Sequence, residues 1–402
     1  MVRSQAPSQS APTVTVGNVV FVSGCTCDLA GETAPSRVED QVELALANTQ
    51  RALEAAGSRM ENVVKTLFLL TSLDDYGRVR ATETEFYERH APQLVRTPPA
   101  ATLMVAPALA RPELSVQYEV IAALDRDARD AGVTYYPERW AGKELAYPHV
   151  PKEHPKFARS QSIGNLLVVS GCQALDHDTV RVETDDVAEQ SRIVLDKVRV
   201  AVEETGGTLA NVLKTNVFVK DANALATYRA VERELFRKHA AELASDPPAS
   251  TAFVMTELPR PEFLIEVEAF AVADADLPGW SPRRRPGTEE AAESVAAGDL
   301  LFLSACDAVA ERDRPIEREI SSALDNLRGA LERAGTTFGK VVKLTLLLRD
   351  AAGYSVLERE LRDYCRERAP HLVDAPPATT FMQVPAIVPS DARFQVDAVA
   401  RT

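Results

Sequence analysis

The stretch GNVVFVSGC at residues 17–25 recurs twice in the chain, as GNLLVVSGC at 164–172 and as GDLLFLSAC at 298–306. Each copy is a short apolar run that follows a Gly-Asn or Gly-Asp turn, a pattern typical of a buried strand. The distance between copies is far longer than the roughly 20–50 residues of a solenoid repeat and corresponds to a small domain. The chain is therefore predicted to contain three related domains.

Each copy continues through further segments that recur in the same order. A helical stretch precedes a second apolar strand, which contains Lys65, Lys214 or Lys343 at the matching position. The next segment starts with a proline pair, at PPAATLMV (98–105), PPASTAFV (247–254) and PPATTFMQV (376–384), and an alternating strand closes the unit. This order predicts an α+β fold with two helices on one face of a mixed sheet, and the last two strands are interpreted as a hairpin.

The repeats predict domains at 1–124, 157–273 and 290–402, which are joined by two linkers. The first linker is rich in aromatic residues, among them Tyr135 and Tyr136, and is expected to pack against the surface because large rings gain by burial. The second contains the basic run RRR at 283–285, which is interpreted as solvated. Because the closing strands alternate, each sheet should keep a second, more polar face, and three such faces are expected to meet around a pseudo-threefold axis.

Composition argues against several classes of function. The formal net charge is −14, and no basic groove is apparent, so nucleic-acid binding is not expected. No apolar run approaches the roughly 18 residues of a membrane span, and residues 1–12 do not resemble a signal peptide. Five cysteines are too few for a disulfide framework, so the cytoplasm is the expected location. The histidines lack metal-ligand spacing and no phosphate-binding glycine loop occurs, so no metal or other cofactor is expected.

The repeated residues resemble the RidA family, also called YjgF/YER057c/UK114. The resemblance rests on the Ser-Gly strand ends, on the Val-Lys-Thr strands and on the closing Glu-x-Glu-Ala strand. The Ser-Gly strand ends are Ser23–Gly24, Ser170–Gly171 and, as a near match, Ser304–Ala305. The Val-Lys-Thr strands are matched by Val64–Lys65–Thr66 and Leu213–Lys214–Thr215, and the closing strand by Glu266–Ala269. Family members are small domains that form homotrimers with a pocket at each interface. The resemblance therefore implies three RidA/chorismate-mutase-like domains arranged as an intramolecular pseudotrimer.

The resemblance also implies an activity, the hydrolysis of reactive imines and enamines to a keto acid and ammonia. Family enzymes bind the substrate carboxylate with an arginine in a Pro-Ala-Arg segment, and that position holds Ala101, Ser250 and Thr379 here. The glutamate that helps to position water in the family corresponds to Glu266, whereas the other two copies have glutamine, Gln117 and Gln395. The clefts are thus expected to lack the usual guanidinium, and the first and third copies are expected to be the most degenerate.

A cysteine follows the serine-containing strand end in all three copies. Because side chains alternate along a strand, Ser23 and Cys25 are expected to point the same way, toward the pocket. The thiol is interpreted either as a nucleophile or as a small inert core residue. The candidate catalytic residues are therefore Cys172, Glu266, Ser170, Cys25 and Cys306. The candidate substrate-binding residues are Ser250, Thr379, Ala101, Gln117, Gln395, Ser23 and Ser304.

One pocket is expected to retain more of the machinery than the others, and it is predicted to combine Ser170, Cys172, Ser250 and Glu266. Arg80 and Arg229 occupy matching helical positions and are interpreted as surface salt bridges, with a replacement anion clamp as the alternative. Two functions stay open. The first is a RidA-like enzyme that acts on an imine, an enamine or a related reactive carbonyl intermediate, in specialised metabolism. The second is a non-catalytic small-molecule-binding or scaffold protein. The only expected partner is a small-molecule substrate, and one chain forms the monomeric pseudotrimer, with dimerisation of that unit left open.

Overall fold

The structure is a computed structural model of the 402-residue chain. It describes residues 10–27, 33–140, 142–146, 150–308, 315–388, 390 and 392–402. Three mixed sheets, each with helices packed on one face, account for most of these residues. We call the corresponding parts of the chain module 1 (residues 13–123), module 2 (158–272) and module 3 (294–401). None of the helices in the described residues is long and apolar enough to cross a membrane.

Module 1 shows the architecture that all three modules share. Its elements are β1 (Thr13–Val16), β2 (Val19–Val22), α1 (Val38–Ala55), β3 (Val63–Leu70), α2 (Tyr76–His90), α3 (Pro92–Arg96), β4 (Ala100–Val105) and β5 (Val116–Ala123). The strand order is β1-β2-β5-β3-β4. Gly17, with a φ of 55°, makes the tight turn between β1 and β2 in a conformation that favours glycine. The two long helices cover one face of the sheet, where Val42, Leu46 and Phe68 belong to the module's core.

Modules 2 and 3 repeat this order, and the linkers add strands to it. The elements from the first linker onward are β6 (Val133–Pro137), β7 (Arg139–Trp140), β8 (Lys143–Glu144), β9 (Ala158–Ile163), β10 (Leu166–Gln173), α4 (Val187–Glu203), β11 (Val212–Val219), α5 (Ala224–His239), β12 (Ala249–Val254) and β13 (Ile265–Val272). They are followed by β14 (Arg283–Arg285), β15 (Ser294–Ala297), β16 (Leu300–Leu303), β17 (Cys306–Asp307), α6 (Ile316–Arg333), β18 (Val341–Leu348), α7 (Tyr354–Arg368), α8 (His371–Asp374), β19 (Ala378–Gln383) and β20 (Phe394–Arg401).

The predicted hairpin of the last two strands is wrong. In module 1, β4 pairs in parallel with β3, and β5 pairs antiparallel with the opposite edge of β3. The same arrangement joins β12 and β13 to β11, and β19 and β20 to β18. The lysine-containing strand therefore lies between the other two. Its almost entirely buried sequence suits this central place, since a strand paired on both edges and covered on both faces is apolar throughout.

The linkers are ordered where they are described. Strand β6 pairs with β9, so Tyr135 lies opposite Gln161, and the prediction that the aromatic linker packs against the surface is confirmed. The interpretation of 283–285 as solvated holds for Arg283 and Arg285, which are exposed, although the segment is an ordered strand, β14, at the edge of the third sheet. Arg284 instead donates hydrogen bonds of 2.6 and 2.8 Å to the carbonyl oxygens of Ala210 and Val212 at the start of β11 in module 2. Each linker thereby fastens neighbouring modules together.

The second faces of the three sheets meet at the centre of the molecule, as an intramolecular pseudotrimer requires. These faces are mainly apolar rather than polar, in contrast to the expectation from the alternating strands. Two hydrophobic clusters lie there, and each contains residues from matching positions of the three modules. One cluster contains Val64, Leu213 and Val342, and the other contains Leu69, Phe218 and Leu347. The central contact is therefore a true hydrophobic core, and the three modules form one packed unit.

Three buried lysine–carboxylate pairs interrupt this core in a cyclic pattern. Lys65 of module 1 pairs with Glu268 of module 2 at 2.6 Å, and Lys343 of module 3 pairs with Glu119 of module 1 at 2.8 Å. Lys214 of module 2 pairs with Asp397 of module 3. Each lysine thus reaches the closing strand of the next module. Since an unpaired charge in such a core is costly, these pairs favour one cyclic order of the modules.

Candidate active site

Each module contacts the next through a serine of the Ser-Gly strand end. The hydroxyl of Ser170 accepts a 2.9 Å hydrogen bond from the backbone N–H of Ala101 and donates to the carbonyl of Ala158. In the same way, the hydroxyl of Ser304 accepts a 2.9 Å hydrogen bond from the backbone N–H of Ser250, and the hydroxyl of Ser23 accepts one of 2.8 Å from that of Thr379. We call these contact regions the first seam (modules 1 and 2), the second seam (modules 2 and 3) and the third seam (modules 3 and 1). The three serines are used to join the modules.

The expectation that the serine and the cysteine point the same way is wrong. In the pairing of β10 with β13, Val169 lies opposite Ala269, whereas Cys172 lies opposite Val267, so the register shifts by one residue between them. Such a bulge reverses the alternation of side chains. Ser170 therefore faces the seam while Cys172 belongs to the helix-side core of module 2. The pairings of Cys25 with Tyr118 and of Cys306 with Val396 show the same shift.

The environment of the three cysteines favours the interpretation as core residues. Burial raises the pKa of Cys172 and of Cys306 to about 12, and it also raises the pKa of Cys25. A thiol with such a pKa is protonated near neutral pH, and the thiolate is the reactive form. This arrangement gives no support to a nucleophilic role for the thiols.

The first seam contains a cavity of about 280 Å³. Module 1 contributes Tyr76 and Arg80 from α2 and Ala101 from β4, and module 2 contributes Gly171 and Gln173 from the end of β10. Its further walls are mostly apolar and include Phe157 and Phe263. A concave, largely apolar cavity with a few polar groups is the usual form of a small-molecule site.

Arg80 places a positive charge at the wall of this cavity. Its side chain is buried, with 4% of the residue exposed, and Nη1 pairs with Glu83 at 2.8 Å one helical turn later. Tyr87 donates to the other oxygen of Glu83 and so helps to fix that carboxylate. Burial disfavours the charge, but Glu83 outweighs it and raises the pKa of Arg80, which therefore stays charged. Within the described residues, Nε of Arg80 has no hydrogen-bond partner.

Glu266 places a carboxyl group behind the same wall, on the module 2 side. The residue is fully buried, and its Oε1 lies so close to Gly171 that a Cβ atom there would be only 1.8 Å away. Glycine is therefore required at this strand end. Neither carboxyl oxygen makes a hydrogen bond of normal geometry to another described residue, although Gln173 lies near enough to lower the pKa slightly. Burial dominates and raises the pKa of Glu266 to about 8, so the group is largely protonated at neutral pH.

The second seam contains the matching arginine in a different setting. Arg229 is 5% exposed and pairs with Glu232 at 2.7 Å, as Arg80 does with Glu83. Its Nη2, however, donates a 2.7 Å hydrogen bond to the hydroxyl of Ser250, which stands where module 1 has Ala101. The glutamate position is taken by Gln395. The side of the guanidinium that faces the seam is thus already bonded within the protein.

The third seam carries no arginine at this position, because Glu358 replaces it and accepts a hydrogen bond from Tyr354 at 3.2 Å. The side chain of Gln117 donates to the carbonyl of Phe381, across the seam, at 3.1 Å. The hydroxyl of Thr379 turns back to the carbonyl of Pro377. Of these contacts, the bond from Gln117 joins the two modules, and none presents a cation to the seam.

Several sequence-based expectations about the site need correction. The arginines are buried rather than on the surface, and the first seam has a guanidinium at its cavity although Ala101 occupies the Pro-Pro-Ala-x position. The structure does not bring Ser170, Cys172, Ser250 and Glu266 together in one place. Ser170 bonds to Ala101 of module 1 at the first seam, whereas Ser250 bonds to Ser304 of module 3 at the second.

Sequence reasoning placed Arg80 in the pocket only as the alternative to a surface salt bridge, although a further signal was present. Modules 1 and 2 both have an arginine in the second helix followed three residues later by a glutamate, Glu83 or Glu232. Such spacing places the two side chains on one helix face, where they can pair. Only module 1 combines this pair with a side chain as small as that of Ala101. The combination, rather than either residue alone, marks the first seam.

Comparison with known proteins agrees with this architecture. The family model for Endoribonuclease L-PSP matches three times, at residues 4–124, 149–273 and 290–402. The chain is similar to the 2-iminobutanoate/2-iminopropanoate deaminase of Escherichia coli K12, with 34% identity over 130 residues, which is 32% of this chain and 97% of the relative. A RutC family protein of Pyrococcus abyssi is 31% identical over 130 residues, covering 32% of this chain and 96% of the relative.

A solved structure is also similar in sequence to part of the chain. The YjgF gene product of Escherichia coli is 35% identical, and the match covers 29% of this chain and 86% of that one with a TM-score of 0.26. Each relative thus corresponds to a single module of this chain. Since the family model covers most of the sequence, in three successive matches, the chain belongs to the RidA (YjgF/YER057c/UK114) family and carries the family domain three times in tandem.

Proposed function

We propose that this protein hydrolyses imines or enamines that carry a carboxylate, and that the reaction takes place in the cavity of the first seam. The observation that carries this proposal is the position of a buried, charged Arg80 at the wall of the cavity and of a buried Glu266, whose pKa is raised to about 8, directly behind Gly171 of the same cavity. Perturbed acid–base groups beside a cavity are typical of catalytic sites. The activity named for the Escherichia coli relative is of this class.

Arg80 is proposed to bind the substrate carboxylate. Its Nη1 is engaged by Glu83, and Tyr76 also interacts with the guanidinium, but the methyl group of Ala101 offers no hydrogen bond in the place where Ser250 bonds to Arg229. The planar guanidinium fork matches a carboxylate well. We thus infer that the arginine of the helix replaces the one expected in the Pro-Pro-Ala-x segment. Phe157 and Phe263 line the remaining space and suit an apolar substituent on the substrate.

Glu266 is proposed to move the protons. In its protonated form it donates a proton to the carbon of an enamine, which gives the iminium ion. The resulting carboxylate then accepts a proton from the water that adds to the C=N carbon. Glu266 returns this proton to the nitrogen, ammonia leaves as the C–N bond breaks, and the proton of the carbinol hydroxyl passes to the Glu266 carboxylate. The products are the keto acid and ammonia, which takes up a proton from the solvent, and protonated Glu266 is regenerated. A group with a pKa near the working pH is suited to both the acid and the base role.

The test is an assay in which an amino-acid oxidase generates the imino acid in place and the release of ammonia is followed. Imino acids with apolar side chains are expected to decay faster in the presence of the protein than by free hydrolysis. Acceleration that disappears in a Glu266→Gln variant with an unchanged melting temperature supports the proposal. If the native protein does not accelerate the decay of any of these imino acids, the proposal is wrong.

The other two seams favour a second role, that of non-catalytic contact or ligand-binding regions. Nη1 and Nη2 of Arg229 are already bonded to Glu232 and Ser250, and Glu358 would repel a carboxylate at the third seam. We infer that only the first seam is active, and that one chain provides the complete unit. All five cysteines are free thiols, which supports the cytoplasm as its location. Native mass spectrometry with a carboxylate-bearing substrate analogue should show one bound molecule per chain, and three would contradict this assignment.

A further inference from the structure

Module 2 has a second cavity, of about 420 Å³, on the helix side of its sheet. It lies between the end of β10, the helix α4 and the linker that precedes β9, and it adjoins the first-seam cavity, with which it shares Phe157, Gly171, Gln173 and Leu175. Polar side chains line this cavity, among them Lys197 of α4, His177 of the loop between β10 and α4, and Glu138 of the linker. No residue of the proposed hydrolytic pair, Arg80 and Glu266, is part of this wall.

Three of these side chains form a hydrogen-bonded relay that begins at the lysine. The ammonium group of Lys197 donates to the carbonyl of Leu175 at 2.6 Å and lies 3.4 Å from Nε2 of His177. Nδ1 of the same ring lies 3.2 Å from Glu138. With the Nδ1 proton directed at Glu138, Nε2 is left as the acceptor for a proton of Lys197. Among the described residues, Lys197 forms no ion pair with a carboxylate.

The other two modules show that this lysine is not needed to hold the strand end. Asn48 and Asn326 stand at the matching helical positions. Each donates a 2.7 Å hydrogen bond to a backbone carbonyl just past the cysteine, at Thr26 and Asp307. A neutral amide is therefore sufficient for the structural role. Module 2 alone has replaced it with an amine, and it has done so beside a cavity and a histidine.

The surroundings make the amine easier to deprotonate and favour a neutral ligand. Burial lowers the pKa of Lys197, and Arg159 acts in the same direction, while Cys172, Glu138 and Asp176 oppose it. Arg159 is already paired with Glu138 and Glu204, at 3.3 and 3.0 Å. The cavity wall also carries Glu183 and Asp196, so its net charge is unfavourable to an anion. The apolar side chains of Phe157 and Ile193 leave room for a hydrocarbon substituent.

We propose that Lys197 captures neutral aldehydes or ketones in this cavity as a Schiff base. His177 accepts a proton from the ammonium group, and the amine nitrogen adds to the carbonyl carbon to form a carbinolamine. His177 then returns the proton to the hydroxyl group, which leaves as water while the C=N bond forms. The net reaction converts one carbonyl compound and the protonated lysine into a protonated imine and one water. Desolvated lysines activated in this way are known nucleophiles toward carbonyl compounds.

The test uses the native full-length protein with benzaldehyde and sodium cyanoborohydride at pH 7, followed by peptide mass spectrometry. The exposed Lys238 serves as the internal reference. Benzylation of Lys197 is expected to be about tenfold faster than that of Lys238, since its amine is deprotonated more easily. In urea the difference should vanish. Labelling of Lys197 at or below the rate of Lys238 in the native protein overturns the proposal, and this comparison does not depend on a variant.

Two variants and a second probe sharpen the result. Lys197→Asn adopts the residue found in the other modules, so it should fold normally and lose only the fast-labelling peptide. His177→Gln keeps a polar side chain but removes the proton acceptor, and it should bring labelling of Lys197 down to the rate of Lys238. Glyoxylate, an anionic aldehyde, should label Lys197 at least several-fold more slowly than benzaldehyde. Equal rates for the two aldehydes would contradict the assignment of a neutral ligand.

Discussion

The first and second seams share one backbone joint and one arginine–glutamate pair, yet they differ in what the arginine can still bind. At the second seam, Ser250 accepts a hydrogen bond from Arg229. At the first, Ala101 stands in the same place and leaves the guanidinium of Arg80 facing a cavity. The residue across the seam differs as well, since Glu266 at the first corresponds to Gln395 at the second. A methyl group in place of a hydroxyl, and a carboxyl in place of an amide, distinguish a proposed active site from a structural contact.

The largest effect on activity is expected when the carboxyl group of Glu266, at the first seam, is replaced by the amide found at the second. Glu266→Gln retains the size of the side chain but removes the proton, so kcat for imine hydrolysis should fall by about 100-fold or more. The matched control is Gln395→Glu, which should leave the rate unchanged because Ala305 provides a Cβ where Gly171 has none. Steady-state assays of both variants, with melting temperatures as a check on folding, test this. Equal losses in the two variants would remove the distinction between the seams.

A change of pH should act on the first seam alone. Because Glu266 has a pKa of about 8 and donates a proton, activity should fall about fivefold from pH 8 to pH 9 and about tenfold per pH unit beyond. The folded pKa lies above the unfolded value of about 4.3, so stability from this group is full below about pH 4 and is lost as the pH rises through 8. Urea unfolding from pH 5 to pH 9 should show a slope that is smaller in Glu266→Gln. An identical slope in both proteins would show that Glu266 titrates normally.

The two arginines allow the same substitution to be compared in two places. Arg80→Lys keeps the charge but loses the planar fork, so KM for a carboxylate-bearing imine should rise about tenfold with a smaller change in kcat. Arg229→Lys removes the same fork at the second seam and should leave both constants unchanged. Steady-state measurements of KM and kcat for the two variants test which arginine binds the substrate. A rise in KM for Arg229→Lys would place substrate at the second seam instead.

The smallest effect on activity is expected from Ala101→Ser, which adds to the first seam the one hydroxyl group that Ser250 has at the second. The new hydroxyl should accept a hydrogen bond from Arg80 and compete with the substrate carboxylate, which raises KM by about two- to fivefold. Stability should change little, because Ser250 fits the same backbone in module 2. The reverse variant, Ser250→Ala, should not create activity while Gln395 is present. A lower KM for Ala101→Ser would mean that the hydroxyl assists binding.

Much of the fold could be predicted from the sequence because repetition made each motif visible three times. The buried strands, the two helices and the tandem arrangement follow from apolar patterns and turn residues that depend on local sequence. The pairing of β4 with β3 could not be read in this way. It is a contact between strands separated by a helix, and the hydrophobic pattern of β4 is equally compatible with a hairpin to β5. The packed central faces were also missed, since the few polar residues there are paired lysines and carboxylates rather than solvated ones.

The candidate site was predicted less well, and for physical reasons. Glu266 was recognised from its motif, but its burial and raised pKa depend on Gly171 of the neighbouring strand. The one-residue bulge before Cys172 reversed the direction of that side chain, and a sequence pattern does not reveal a bulge. Arg80 reaches the cavity by means of its long side chain from a helix remote in sequence from Ala101. Position in a motif therefore identified the carboxyl group, whereas the guanidinium could be placed only in three dimensions.

The cyclic lysine–carboxylate pairs have a consequence for how the protein behaves on dilution. In a trimer of separate chains, Lys65 and Glu268 would lie on different molecules, and their contact would weaken as the concentration fell. Here both belong to one polypeptide, so each side chain meets its partner at an effective concentration set by the linkers rather than by the number of molecules in solution. The cleft that contains Arg80 and Glu266 should therefore be as complete at nanomolar concentrations as in a concentrated cell extract.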